Sequence, residues 1–433
     1  MTTIFSPITA IYGSSVVIIR ISGSKTSEIL RILGFKGELT HQKASLQRIY
    51  NPKTKELLDE ALITFFKGPN SFTGEDIAEI SLHASPFIVR KLCEILSEIK
   101  DCRLAEAGEF SKIAFLNNKL DLVKAEAIPD LIASETQAQH QQSILQLQGK
   151  LGEIYEDWCM RLIEISALME ASIDFPDDDL PQNIIDNIEK KVSDLKQEIK
   201  SHLNDGKVGQ KIKNGINLAI IGAPNVGKSS LINFLAKSDV AIVSDIAGTT
   251  RDVVETYLEI AGMQVKISDT AGIRITEDKI EQAGIDRALK KASEADIKIL
   301  LFDASNPVID KNLIDDHTIL IANKQDLINN EKIQSDLVIS LKHNLNTDKI
   351  FTILAEKILE ITPKTNSSLI TQERYRIALS QSLENLDNFS LKKGIEFGAE
   401  DLRLAMFEIG KITGRVDIEK ILDVIFSKFC IGK

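Results

Sequence analysis

The sequence contains no uninterrupted apolar run of about 18 residues, the length a helix needs to cross a bilayer, so no membrane span is expected. Aromatic residues are scarce at 5%, with a single tryptophan, Trp158. Basic charge is short as well: 52 Lys and Arg stand against 63 Asp and Glu, leaving a net charge of −11. That balance excludes wrapping a nucleic acid with the whole surface, because such binding rests on phosphate neutralisation. A local basic patch stays open; if RNA is a substrate, a partner holds much of it. The four cysteines, Cys93, Cys102, Cys159 and Cys430, form no Cys-x-x-Cys pair and keep no metal-ligand spacing with histidine. A reducing, cytoplasmic setting is the expectation. No Lys or Arg precedes Arg20, so the start lacks the basic flank of a secretory leader and the arginines of a transit peptide. The last four residues, Cys-Ile-Gly-Lys, put a cysteine where a prenylation box has one. Glycine third and lysine last fit that box badly, and no lipid anchor is expected.

What is present is ordinary for a soluble globular chain: 43% hydrophobic and 27% charged residues over 433 positions. That length suits about three domains. Residues 1–117 alternate short apolar runs with helical stretches. Val16–Ile21, Ala61–Phe66 and Ile77–Leu82 are expected strands, and Pro86–Ile99 a helix, giving a small α/β domain. Residues 118–210 change to long helices. Ile184, Ile185, Ile188, Val192, Leu195, Ile199 and Leu203 recur at steps of three and four, one buried stripe. The break at Asp174-Phe-Pro-Asp-Asp-Asp-Leu-Pro181 separates this helix from the one before. Gly206–Gly215 is expected to be a short Gly- and Lys-rich linker. Strand–helix alternation follows over 211–370, and helices return over 371–433. The simplest topology is a helical domain built from both flanks, with a doubly wound domain inserted.

The inserted stretch carries nucleotide chemistry. Gly222-Ala-Pro-Asn-Val-Gly-Lys-Ser229 matches G-x-x-x-x-G-K-[ST], follows the apolar strand Ile216–Ile221 and leads into the helical Leu231–Leu235. The glycines let backbone N–H groups close on phosphates, Lys228 brings charge to the outer phosphates, and the Ser229 hydroxyl suits Mg2+. Asp269-Thr-Ala-Gly272 ends the strand Val265–Ser268; its carboxylate can hold Mg2+ through water and its glycine N–H can meet the γ-phosphate. Asn323-Lys-Gln-Asp326 ends the strand Thr318–Ala322. The two carboxylate oxygens of Asp326 match adjacent N–H donors of guanine, which adenine lacks, so the residue selects GTP over ATP. Ser340-Leu-Lys342, after Leu337–Ile339, is a weaker match to the last base loop. Gly248-Thr-Thr-Arg-Asp252 supplies a threonine that senses the γ-phosphate.

One position departs from the commonest small GTPases. The residue after Asp-x-x-Gly, usually a glutamine that orients water, is Ile273. Catalysis therefore needs another carboxylate or amide, a cation, or a partner's residue. Asn225, inside the P-loop, can offer an amide oxygen to a monovalent cation beside the β,γ-bridge, or can serve turn geometry alone.

At this point the chain resembles the MnmE (TrmE) tRNA modification GTPase family. Gly248-Thr-Thr-Arg-Asp252 and Asp269-Thr-Ala-Gly-Ile-Arg274 look like those of potassium-activated GTPases. The flanks narrow the match: Pro69-Asn-Ser-Phe-Thr-Gly-Glu-Asp76, Gly108-Glu-Phe110, Ala114-Phe-Leu-Asn-Asn-Lys-Leu-Asp-Leu122, Ala125-Glu-Ala127, Asp174-Phe-Pro176 and Phe429-Cys-Ile-Gly-Lys433. The resemblance covers nearly the whole chain. It implies an N-terminal folate-binding and dimerising α/β domain, a helical domain from both flanks and an inserted Ras-like P-loop G domain. It further implies a homodimer, K+-promoted meeting of G domains, and a heterotetramer with the flavoprotein MnmG, which alone carries FAD. Together they place an aminomethyl or carboxymethylaminomethyl group on carbon 5 of the tRNA wobble uridine, U34. The one-carbon unit comes from 5-formyl- or 5,10-methylene-tetrahydrofolate.

Carried onto this sequence, the resemblance assigns K+ to Asn225, Ser244, Ile246 and Thr249, and Mg2+ to Ser229 and Thr250. The catalytic glutamate, acting through water, falls at Glu281, with Asn225 and Lys228 assisting. GTP contacts fall on Gly222, Asn225, Val226, Gly227, Lys228, Ser229, Ser230, Ser244, Thr249, Thr250, Asp269, Thr270, Ala271, Gly272, Asn323, Lys324, Asp326, Ser340, Leu341 and Lys342. Folate contacts fall on Arg20, Glu79, Lys119 and Lys433; read from the residues alone, Arg20, Glu79 and Lys119 would sooner be a structural ion-pair network. Cys430 is a nucleophile or a small buried residue. Three places depart from the family pattern: Ile11-Tyr-Gly-Ser-Ser15 and His83-Ala-Ser-Pro86, where glycines are usual beside the folate pocket, and Leu341, where a small residue is usual. Two other readings compete: a ribosome-assembly GTPase, which would carry a basic RNA-binding appendage, and a nucleotide switch without chemistry of its own.

Overall fold

The computed structural model describes residues 2–174, 182–205, 207–238, 240–242, 256–268, 293–328, 333–363 and 369–415, and beyond them Leu422, Ile425, Phe426, Phe429 and Gly432. The chain divides into two compact units.

The first unit comprises Met1–Pro129, Gly152–Cys159 and Ile409–Lys433. Its sheet has six strands: β1 (Thr3–Pro7), β2 (Val16–Ser22), β3 (Ala44–Tyr50), β4 (Leu57–Phe66), β5 (Ile77–His83) and β6 (Cys102–Leu104). Their order is β3-β4-β5-β2-β1-β6. Val17, Ile19 and Ile21 are fully buried and alternate with Ile18 and Arg20, the period of a strand with one face in a core. Ile63, Phe65, Ala78, Ile80 and Leu82 continue that buried face, against Ile29, Leu30, Val89 and Leu92 of the helices Thr26–Ile32 and Pro86–Ser97. Burial of each such side chain contributes about 1.5–3 kcal/mol. The second helix stops at Ser97, two residues short of the expected Ile99, and β4 begins at Leu57 rather than Ala61. A smaller cluster joins Leu122 and Ala125 to Leu422, Ile425, Phe426 and Phe429. Gly432 follows in the same unit: a Cβ there would lie 2.6 Å from the Pro7 carbonyl oxygen.

The second unit comprises Asp130–Leu151 and Met160–Glu408. Its sheet runs β13-β12-β11-β7-β10-β9-β8. The strands are β7 (Ile216–Ile221), β8 (Ala241–Ile242), β9 (Thr256–Ile260), β10 (Met263–Ser268), β11 (Ile297–Asp303), β12 (Thr318–Asn323) and β13 (Leu337–Val338). β10, β7, β11, β12 and β13 are parallel, and β9 and β8 extend the edge antiparallel. Central β7 is buried along Leu218–Ile221, the continuous apolar run of a strand covered on both faces. Helices Lys228–Ala236 and Lys349–Ile361 supply Leu231, Leu235, Ile350, Leu354 and Ile358 to its core.

Helices from both flanks meet in this unit. Gln182–Leu203 buries Ile188, Val192, Leu195 and Ile199, the expected stripe. Beside it lies Glu373–Asn388, joined through Lys196–Asp387 at 2.6 Å and through Arg376, which bonds Asp205 and the Leu203 carbonyl. The expected linker Gly206–Gly215 is corrected: it contains the helix Val208–Asn214. Val208 is buried, Ile212 packs on the sheet core, and a Cβ on Gly209 would come within 2.4 Å of the Ile370 carbonyl oxygen. Gly209 thus serves close packing rather than slack.

Candidate functional site

The P-loop leaves the end of β7 and closes onto the helix Lys228–Ala236. Gly222 has φ 150° and Gly227 φ 107°, where a Cβ is disfavoured. Space forbids side chains too: a Cβ on Gly222 would lie 2.0 Å from the Leu301 carbonyl oxygen, and one on Gly227 2.4 Å from Asn323 Nδ2. Asn225 adopts φ 63°, a left-handed conformation that asparagine tolerates. The helix N-terminus follows directly, a concentration of unpaired N–H groups suited to anions. The Lys228 ammonium donates to the carbonyls of Gly222 at 2.8 Å and Ala223 at 2.7 Å, and burial pushes its pKa down. Desolvation of this kind is relieved by a phosphate partner. Val226 is buried, Ser229 and Ser230 lie at the start of the helix, and Ser230 is exposed.

The loops expected to hold the base lie at the tips of β12 and β13. Asn323, the last residue of β12, is 5% exposed. Its Nδ2 donates to the Val226 carbonyl at 2.9 Å and its Oδ1 accepts from Leu341 N–H at 3.1 Å. One amide therefore ties the P-loop to the Ser340-Leu-Lys342 loop. Ser340 is fully buried, and its hydroxyl donates to Asp326 Oδ1 at 2.5 Å. That hydroxyl, foremost, holds the Asp326 carboxyl below the usual carboxylate range, against desolvation. Lys342 stands two residues on and adds a cationic contribution to the same carboxylate. Gln325 N–H donates to the Ile339 carbonyl at 2.9 Å, fixing the turn.

Sequence reasoning missed Asp303. It ends β11 and accepts from Lys324 Nζ at 2.6 Å, while also accepting from Ser305 N–H and hydroxyl. Burial would raise its pKa, but these donors lower it. The only sequence signal is an acid at the end of a strand beside the one ending in Asn323.

The structure thus brings Gly222, Asn225, Val226, Gly227, Lys228, Ser229 and Ser230 into one loop and helix start. It joins them to Asn323, Lys324, Asp326, Ser340, Leu341 and Lys342 through Asn323. Ser244, Ile246, Thr249, Thr250, Asp269, Thr270, Ala271, Gly272, Ile273, Glu281 and Gln282 lie outside the described residues.

In the first unit, β2 and β5 pair Arg20 directly with Glu79. The guanidinium donates from Nε at 3.0 Å and Nη2 at 2.8 Å to one carboxylate oxygen. It lies 5.5 Å from the Phe72 ring centroid and 5.6 Å from that of Phe110, so two aromatic rings flank the cation. Both phenylalanines belong to segments that carry the family resemblance, and neither was assigned a role from sequence. Asn117 Nδ2 donates to the Thr73 carbonyl at 2.7 Å, and Lys119 Cγ would be 3.5 Å from a Cβ on Gly74, so Lys119 stands by the Phe72 loop. Tyr12 is exposed, and His83 bonds Asp59 Oδ1 at 2.8 Å. Cys430 and Lys433 lie outside the described residues.

Residues 3–119 match the N-terminal domain family of the GTP-binding protein TrmE, and residues 122–430 match the MnmE helical domain family. The tRNA modification GTPase MnmE of Rickettsia akari is 44% identical over 445 aligned positions, covering 100% of both chains. Its counterpart from Rickettsia rickettsii (strain Sheila Smith) is 45% identical over 447 positions, again covering 100% of both. Among solved structures, a point variant of Era from Aquifex aeolicus, bound to GDP and AlF4−, aligns at 25% identity over 39% of this chain and 66% of its own, with a TM-score of 0.26. With a TrmE-type N-terminus, an MnmE helical domain and full-length relatives at this identity, the chain belongs to the MnmE family of tRNA modification GTPases, enzymes that hydrolyse GTP.

Proposed function

We propose that the chain is the GTP-hydrolysing subunit of an enzyme that modifies carbon 5 of the wobble uridine in tRNA. It works as a homodimer in a heterotetramer with the flavoprotein MnmG, in the cytoplasm, and draws its one-carbon unit from a tetrahydrofolate. The carrying observation is kinship along the whole length, with 44% identity to curated tRNA modification GTPases over 100% of both chains. Among the described residues no helix is long and apolar enough to cross a membrane.

In this reading the domains are 1–117, 118–210, 211–370 and 371–433. Asp326, held by Ser340, grips the guanine N–H pair. Lys228 and the helix N-terminus meet the phosphates. Ser229 and Thr250 would hold Mg2+, and Asn225, Ser244, Ile246 and Thr249 would hold K+; the two ions supply positive charge to the β,γ-phosphate region when bound. The left-handed Asn225 and the tight glycines around it fit such a cradle. Glu281 positions the attacking water in place of the glutamine that Ile273 replaces.

Arg20, Glu79, Lys119 and Lys433 form the folate site. A pterin ring offers a guanine-like edge to a carboxylate, and the folate tail offers carboxylates to Arg and Lys. The contact of Gly432 with Pro7 supports bringing the tail to this sheet, since β1 pairs Ser6 with Arg20. The same sheet face holds the cross-strand pair Leu46 and Leu62, exposed at 68% and 44%. An uncovered apolar patch of this kind suits a second copy of the chain.

Titration with 5-formyl-tetrahydrofolate tests the folate assignment. Arg20→Ala is expected to weaken binding at least tenfold, about 1.4 kcal/mol. Equal affinity in wild type and variant would reduce Arg20–Glu79 to a structural ion pair.

A further inference from the structure

We propose that the β9–β10 hairpin transmits the state of the nucleotide site to the helix Gln137–Leu147 through a clamp of Gln264, Gln139 and Glu135. The inference rests on the nucleotide reading above. In sequence, the hairpin joins the two γ-phosphate motifs: Gly248–Asp252 precedes β9, and Asp269–Gly272 follows β10 directly. Gln264 stands five residues before Asp269, about 16 Å at the rise of a strand. β10 is paired along both edges, with β9 and with β7, so a displacement at its nucleotide end is carried along a stiff rod.

The far end of the rod is bonded to the helix Gln137–Leu147 and to Glu135 just before it. Ala138 N–H donates to the Gly262 carbonyl in the hairpin turn at 3.1 Å. Gln264 Nε2 donates to Glu135 Oε2 at 2.9 Å, and Gln264 Oε1 accepts from Gln139 Nε2 at 3.4 Å. Gln139 in turn caps its own helix, accepting from Thr136 N–H at 3.1 Å, and donates to the Lys213 carbonyl at 3.2 Å. Gln264 and Gln139 are 8% and 9% exposed, so water does not readily replace a bond they lose.

The same helix also holds the segment 369–371, which precedes the helix Glu373–Asn388. Gln142 Nε2 donates to the Leu369 carbonyl at 3.2 Å, and Gln146 Nε2 to the Thr371 hydroxyl at 2.7 Å. Residues 139, 142 and 146 follow helical spacing, so one face made of glutamines grips the hairpin, the helix Val208–Asn214 and the segment 369–371. The turn itself borders a cleft of about 630 Å3, lined also by His140, Leu359 and Thr362, which leaves it room to shift. A helix that merely packed against the sheet would need apolar side chains here, not three buried amides.

Amide hydrogen exchange of the full chain, with GDP against a non-hydrolysable GTP analogue, tests the clamp. In wild type, exchange across Gln137–Leu147 should differ at least fivefold between the two nucleotides. Gln264→Glu sets two carboxylates face to face and should abolish that difference while GTP hydrolysis persists. The exchange of partners, Glu135→Gln with Gln264→Glu, restores one donor against one acceptor and should restore the response; Gln139→Leu should lose it. A full response in Gln264→Glu, or a folded double variant that stays silent, overturns the clamp. If wild type binds ATP as well as GTP, the nucleotide reading fails instead. If GTP binds selectively and the helix does not respond, only this inference fails.

Discussion

Replacing Asn323 by alanine is expected to loosen the nucleotide site from within. The side chain is buried, donates to the Val226 carbonyl at 2.9 Å and accepts from Leu341 N–H at 3.1 Å. Alanine leaves both groups without this partner. Val226 is 5% exposed, so its carbonyl bears most of the unsatisfied-group penalty of about 1–3 kcal/mol; Leu341 is half-buried, and its share is about 1 kcal/mol. The sum, about 2–4 kcal/mol, lowers the melting temperature of a domain of this size by roughly 5–15 °C. Scanning fluorimetry without nucleotide reads the loss, and GTP titration reads the slack left between P-loop and base loop. Asn323→Asp is the sharper companion, because it keeps the acceptor for Leu341 but sets a carboxylate oxygen against the Val226 carbonyl. A melting temperature within about 1 °C of wild type in both variants would refute the bracing role.

Other expectations concern the nucleotide site and the folate site. Asp326→Asn swaps an acceptor for a donor toward guanine and should weaken GTP binding by about 2–3 kcal/mol, with no matching loss for xanthosine triphosphate; unchanged GTP affinity would remove guanine selection from Asp326. Hydrolysis should run faster in K+ than in Na+ at equal ionic strength, and equal rates would end the cation proposal. Glu281→Ala should cut hydrolysis strongly while GTP still binds; a larger effect from Gln282→Ala would move the water-positioning role. Removing residues 429–433 should spare hydrolysis and abolish folate binding and tRNA modification, and Cys430→Ser separates a chemical role from packing.

Local signals made much of the second unit legible. β7 was expected at Ile216–Ile221 and lies there, because a buried parallel strand is a continuous apolar run and the P-loop pins its end. The stripe on Gln182–Leu203 was equally plain from its spacing. Composition concealed the helix Val208–Asn214: lysines and glycines suggest a loop, and only tertiary contact with Ile370 accounts for Gly209. Pairings across distance were also hidden. Asp303 and Lys324 are 21 residues apart, and Arg20 and Glu79 are 59 apart. Register between strands, absent from any local pattern, brings each pair together. The aromatic flanks of Arg20 are hidden for the same reason, since Phe72 and Phe110 reach it from two separate segments of the fold.

The central claim is tested most directly by nucleoside mass spectrometry of tRNA. The purified chain would be incubated with the flavoprotein partner, reduced flavin, 5,10-methylene-tetrahydrofolate, glycine or ammonium, K+ and either GTP or a non-hydrolysable analogue. A uridine substituted at carbon 5 of the wobble position should accumulate with GTP, and fail to accumulate with the analogue or when the chain is left out. The same yield without the chain, or none in the complete mixture while GTP is still hydrolysed, would contradict the account.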